Sequence, residues 1–161
     1  MLKALAVAAT IIFAATTGMA TAADTAMPKG FYSFGADQTI ADIGKVEWQP
    51  LKLEGLPPAV EIATLRGDLG KGGGELLLRV PANYTVPNHS HTSDELYVWL
   101  KGDFTYIAAD GSQAALQAPA HISLPGNTAH ALKCGKDPCV FYLKYARPFD
   151  LHVHQMPAAK H

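Results

Sequence analysis

The sequence predicts one all-β domain, a sandwich or a barrel, on three observations. From Lys45 onward the chain divides into runs of roughly 4–8 residues rich in Val, Leu, Tyr and Phe. Gly, Pro, Asn or Asp bounds these runs, and 14 Gly and 11 Pro are many for 161 residues. After the first two dozen residues, no window keeps a 3.6-residue apolar period for more than about two turns, so no long helix is expected.

The elements follow in order. Lys3 and the apolar run Ala4–Ala15, broken only by Thr10, have the form of a signal peptide, and Ala20-Thr21-Ala22 is a small-residue cleavage site. Residues 1–22 are therefore expected to be cleaved on export to the periplasm or the exterior. A spanning helix needs roughly 20 apolar residues, and Thr10, Thr16, Thr17 and Gly18 shorten this run, so no membrane segment is expected after cleavage. Residues 23–44 read as an N-terminal arm or a short helix. Strands are expected at Val46–Gln49, Ala59–Arg66, Gly74–Val80, Tyr84–His89 and Leu96–Lys101. Further strands are expected at Phe104–Ala108, Ser112–Gln117, His121–Leu124, His130–Cys134 and Cys139–Tyr145. Asp110-Gly111 suits a type I′ hairpin turn. Lys71-Gly72-Gly73-Gly74 reads as a mobile loop. The folded domain is expected over residues 45–155, with 156–161 a tail.

Composition narrows the partners. Hydrophobic residues make up 48% and charged residues 17%, which is globular, and the net charge is −1. There is no basic surface for nucleic acid and no polybasic stretch for anionic lipid. A metal or a small molecule is the expected ligand. Export would place Cys134 and Cys139 in an oxidising space. Gly135-Lys136-Asp137-Pro138 can turn the chain between them, so a disulfide is expected, with two free thiols as the alternative.

The chemistry concentrates at Pro87–Gly102. On a strand, residues two apart share a face, so His89 and His91 can chelate one ion. Thr92-Ser93-Asp94 is turn-like and can reverse the chain, placing Glu95 on a neighbouring antiparallel strand about 5 Å from the histidines. Asp94 lies one residue off and would point to the opposite face. His130, after the turn Pro125–Ala129, is the best third imidazole. Three imidazoles and a carboxylate suit one divalent transition metal, Fe, Mn, Ni, Zn or Cu, and on a six-coordinate ion they leave two positions for water, oxygen or substrate. Tyr97, Trp99, Tyr106 and Phe141 read as pocket-lining or core residues, and His121 as a rim or pocket residue. His152 and His154 share a strand face and would hold a second ion or face solvent.

The runs His89-x-His91-x3-Glu95-x6-Gly102 and Pro125-x4-His130 resemble the two signature motifs of the cupin superfamily. The resemblance covers roughly Gly74–Tyr145. It implies a single-domain jelly-roll β-barrel, the double-stranded β-helix, with the metal inside on His89, His91, Glu95 and His130. Asn83 and Pro119 stand where the motifs usually open with Gly. Pro125-Gly126-Asn127 replaces the usual P-x-G, and Asn127 can take the left-handed backbone that Gly would supply. Cys134 replaces the Asn that often closes the second motif. None of these departures removes a ligand.

Two functions are compatible with the resemblance. One is a metal-dependent enzyme of dioxygenase, lyase or isomerase type acting on a small organic acid, diketone or phenol. There Glu95 can also serve as a catalytic base, as carboxylate ligands do in similar proteins. The other is a non-catalytic periplasmic module that binds or senses a ligand or metal. Homodimers are frequent in similar proteins, and exposed strand edges would permit one here.

Overall fold

The computed structural model describes residues 27–33 and 38–156, so the proposed signal peptide and nearly all of the tail lie outside the described residues. Every regular element described is a strand: β1 (Phe31–Ser33), β2 (Thr39–Ala41), β3 (Gln49–Pro50), β4 (Glu61–Asp68), β5 (Gly72–Val80), β6 (Thr85–Ser90), β7 (Glu95–Lys101), β8 (Asp103–Ala108), β9 (Gln113–Gln117), β10 (Ala120–Leu124), β11 (His130–Cys134), β12 (Cys139–Tyr145) and β13 (His152–Val153). A six-stranded sheet of order β10-β7-β12-β5-β4-β3 faces a five-stranded sheet of order β13-β6-β11-β8-β9, and β1 pairs with β2. The pairings recorded are all antiparallel.

The two-residue side-chain period sets the core. Leu76, Leu78 and Val80 on β5, Tyr97 and Trp99 on β7, and Phe141 and Leu143 on β12 are buried together with Val86, Phe104 and Leu132 of the facing sheet. Trp99 stacks on Phe104 at 3.7 Å and on Phe141 at 4.4 Å, which fills the centre of the sandwich. Leu77 belongs to the opposite face of β5, yet it is fully buried. It packs with Val46 and Ala63, and Phe31, Ala41 and Trp48 lie against that cluster. The N-terminal segment thus covers the outer face of the large sheet. Burying Leu77 there contributes roughly 2 kcal/mol toward holding the segment down.

Several expectations change. Phe31–Ser33 and Thr39–Ala41 form a strand pair, not a short helix. Gly72, Gly73 and Gly74 belong to β5, because Asp68 and Gly72 pair and Lys71 N–H donates to the Asp68 carbonyl at 3.0 Å, closing a tight turn where a mobile loop was expected. The strand expected at Val46–Gln49 is reduced to Gln49–Pro50 at the sheet edge, a position that tolerates proline. Cys134 and Cys139 are joined in a disulfide between the end of β11 and the start of β12.

Candidate metal centre

Two turns bring the proposed ligands together. The first, Thr92-Ser93-Asp94, does not close a hairpin. It carries the chain from one sheet to the other, and Glu95 pairs with Leu124 of β10 and Tyr145 of β12. The expectation that Glu95 faces the histidines across a ladder is therefore wrong. Glu95 reaches them across the interior of the sandwich, because the turn ends on the opposite sheet.

The second turn, Pro125–Ala129, leads into β11. Asn127 takes the left-handed conformation (φ 64°) that its sequence position suggested. Gly126 N–H donates to the Asp94 carboxylate at 2.7 Å, and Asn127 N–H donates to the His91 carbonyl at 2.7 Å. A Cβ on Gly126 would come within 2.5 Å of the Thr92 carbonyl oxygen, so only glycine allows this approach. Asp94 is exposed and committed to Gly126, which makes it a fastener between the two turns. His130 then pairs directly with His89 on the neighbouring strand.

The four side chains converge in the interior. His89, His91, Glu95 and His130 are each at most 5% exposed. The His89 ring centroid lies 4.9 Å from that of His91 and 4.4 Å from that of His130. His91 Nε2 stands 3.1 Å from Glu95 Oε1, and His130 Nε2 stands 4.0 Å from Glu95 Oε2. The Tyr97 hydroxyl donates to Glu95 Oε1 at 2.7 Å and lies 3.5 Å from His130 Nε2.

Each imidazole is oriented by a main-chain carbonyl. His89 Nδ1 lies 2.7 Å from the Pro87 oxygen, and His130 Nδ1 lies 3.0 Å from the Thr128 oxygen. His91 Nδ1 faces the Asp150 oxygen. A carbonyl only accepts, so each Nδ1 carries the proton and each Nε2 is left with a bare lone pair. Burial holds the imidazoles neutral, aided at His89 and His91 by repulsion from the neighbouring histidines. His89 is lowered to about 3 and His91 to about 4, and His130 is lowered as well. Burial raises Glu95 to about 7 and holds Tyr97 well above the usual phenol range. The contact of His91 with Glu95 is accordingly not an ion pair. It sets a lone pair against a carboxylate.

This donor set fits a divalent metal. Four acceptors face one another in a buried space, and only a proton or a cation between them relieves the repulsion. Two ligand atoms about 2.1 Å from one ion and at right angles stand about 3.0 Å apart, which matches the separation of His91 Nε2 and Glu95 Oε1. Among the described residues, no group of three or more His, Cys, Asp or Glu side chains is arranged, as it stands, to hold a metal ion. The Tyr97 hydroxyl, close to both Glu95 and His130, takes part of the space between them.

The other candidates separate. Tyr97 and Phe141 line an apolar cavity beside His89 and His91. Trp99 shares the Glu95 face but is sealed between Phe104 and Phe141 and does not line that cavity. Tyr106 is half-buried and stacks on His130 at 5.9 Å, and it does not line that cavity. His121 is exposed on β10 and lines nothing there, because its position on the strand faces outward. His152 and His154 do not converge on a second ion. His152 Nε2 lies 3.1 Å from Asp150 Oδ2, whereas His154 Nε2 lies 2.8 Å from Ser90 Oγ.

Sequence reasoning missed Asp150 and Phe149. Phe149 packs on the His91 ring at 4.9 Å. Asp150 serves His91 through its main-chain oxygen, which no residue type announces. The pairing of β13 with β6, also unforeseen, brings both residues over the site.

No protein-family model and no curated protein sequence matches the chain. Solved structures do. A cupin-2 domain from Rhodospirillum rubrum superposes with a TM-score of 0.56 at 17% identity, covering 68% of this chain and 75% of that one. The DMSP lyase DddQ from Ruegeria pomeroyi gives 0.55 at 18% identity, covering 71% of this chain and 63% of that one, so the match spans less than two thirds of the lyase. The polyketide cyclase RemF from Streptomyces resistomycificus gives 0.52 at 18% identity, covering 62% and 73%. With its two facing antiparallel sheets and these structural relatives, the chain has the cupin fold, the double-stranded β-helix.

Proposed function

We propose that His89, His91, Glu95 and His130 hold one divalent transition metal, and that the protein is a metal-dependent enzyme acting on a small organic molecule. The observation that carries this reading is the set of four buried acceptors: all three imidazoles have Nδ1 committed to a carbonyl, and His91 and His130 turn Nε2 toward Glu95. Fold relatives described as a lyase and a cyclase support catalysis. We further propose an exported protein, which the Cys134–Cys139 bond supports, since disulfides persist in oxidising compartments.

A bound metal would supply Lewis acidity and, if redox-active, oxygen chemistry. The chain's own residues do the rest. The three carbonyl contacts fix the imidazole tautomers and ring planes before any ligand arrives. Tyr97 stays protonated and donates to Glu95 Oε1. Glu95, raised to about 7 by burial, can hold or release a proton near neutral pH. The apolar wall keeps bulk water from the reacting atoms.

The test is elemental analysis of protein purified from its own compartment, followed by oxygen-uptake and substrate-loss assays on protein loaded with Fe, Mn, Ni, Zn or Cu. Roughly one metal per chain, lost in His130→Ala, supports the centre. Metal binding without turnover, together with tight retention of a co-purified ligand, would replace the enzyme by a binding module.

A further inference from the structure

We infer that the ligand of this centre is a small monoanion with a branched or aromatic hydrocarbon body, and the inference rests on the metal reading above. Beside the His89 and His91 rings lies a cavity of about 30 Å³, walled from both sheets by residues such as Leu78, Leu132 and Leu143. Of its lining residues, His89, His91 and Tyr97 alone carry a polar side chain, and the Tyr97 hydroxyl is spent on Glu95. No lysine, arginine, carboxylate, amide or aliphatic hydroxyl lines it.

That wall is selective by what it lacks. A ligand has one place for charge, against the metal. A second carboxylate, a phosphate or a polyol hydroxyl would be taken out of water with nothing to bond. A positively charged group would find no carboxylate in the cavity lining. A hydrocarbon body loses nothing there and gains the release of water from apolar surface.

Size is set by a side that no strand holds. In this structure the cavity has room for a water or two. Part of its wall is Leu51, Leu53 and Leu56, on a stretch outside any strand that turns these leucines inward and leaves Lys52 and Glu54 exposed. The stretch is tied by Leu51 N–H to the Val60 carbonyl at 2.9 Å and by the Tyr84 hydroxyl to the Pro57 carbonyl at 2.5 Å. Leucines hung on such a segment can lift for a four- or five-carbon body without breaking a sheet. The same leucines then close over it as a hydrocarbon ceiling.

The experiment uses the full-length protein loaded with Co(II), whose visible spectrum reports on its ligands. It compares 3-methylbutanoate and benzoate with glycolate and succinate. The expected result is that 3-methylbutanoate or benzoate shifts the spectrum at concentrations roughly ten-fold or more below those needed for glycolate or succinate. Leu53→Ser, and separately Leu56→Ser, should shrink that preference to about three-fold or less while the Co(II) spectrum of the ligand-free protein stays unchanged. Equal or tighter binding of glycolate or succinate, or no shift with any acid, overturns the inference and leaves the metal reading standing. Failure to take up Co(II) at all overturns the metal reading and the inference with it.

Discussion

His91 Nδ1 faces the main-chain oxygen of Asp150, a residue 59 positions later in the chain. The Asp150 carboxylate secures that contact from the other side. It accepts from Thr92 N–H at 2.8 Å and from the Thr92 hydroxyl, and it meets His152 Nε2 at 3.1 Å. One residue thus fixes both the ring of His91 and the turn that follows it.

Asp150→Ala keeps the main-chain oxygen but removes the clamp that places it. Metal affinity is expected to fall about 10- to 100-fold, the usual cost of losing a group that orients a ligand. Asp150→Asn keeps one acceptor and should lose less. Competition titration with a chromophoric chelator measures both, with circular dichroism to check the fold. Unchanged affinity in Asp150→Ala would remove Asp150 from the site.

Glu95→Gln separates the metal's needs from those of the fold. Burial raises Glu95 to about 7 from an ordinary 4.5, so the folded state binds the extra proton between those values. The stability linked to that proton is fully present below about pH 4.5 and is lost as pH rises through about 7. At pH 8 the metal-free wild type therefore carries a buried carboxylate that Gln lacks. Glu95→Gln should stabilise the metal-free protein by about 2 kcal/mol at pH 8 and by little at pH 5. It should also weaken metal binding. Thermal melts in chelator at the two pH values check the sign, and a variant less stable than wild type at pH 8 would contradict it.

The same shifts set the protons released on metal binding. At pH 6 the imidazoles lowered to about 3 and 4 are already neutral, whereas Glu95 is largely protonated. Loading with zinc should release about one proton at pH 6 and almost none at pH 8.5. Calorimetry in two buffers of different ionisation enthalpy reads this number. Release of two or more protons at pH 6 would mean that the histidines titrate normally and are not buried as described.

Much of this was legible in the sequence because a two-residue period reports which face a side chain takes. It predicted ten strands within a few residues and placed Glu95, Tyr97 and Trp99 on one face. The period does not report depth. Tyr97 reaches the cavity, while Trp99, two residues on, is closed off between Phe104 and Phe141. Nor does a turn announce its destination: Thr92–Asp94 reads the same whether the chain returns in its own sheet or crosses to the other. The strands β1, β2 and β13 are two or three residues long and largely exposed, so they offer no alternation to read. Asp150 acts partly through its backbone, where side-chain chemistry leaves no signal.

Gly126→Ala tests whether the two turns are built as a unit. The new methyl would press on the Thr92 carbonyl, with the Thr92 and Ser93 main-chain carbons also within 3.3 Å. Backbone cannot yield as a flexible side chain would. The substitution should cost about 1–3 kcal/mol of stability, by overpacking and by straining the bonds from Gly126 to Asp94 and from Asn127 to His91. Because that seam carries His130 toward Glu95, metal affinity should fall along with stability. Asp94→Asn, which weakens the seam without a clash, should lower both by a smaller amount. Denaturant melts with and without zinc separate the two effects. A Gly126→Ala protein that melts earlier yet binds zinc as tightly as wild type would show that the ligands are held by their strands alone.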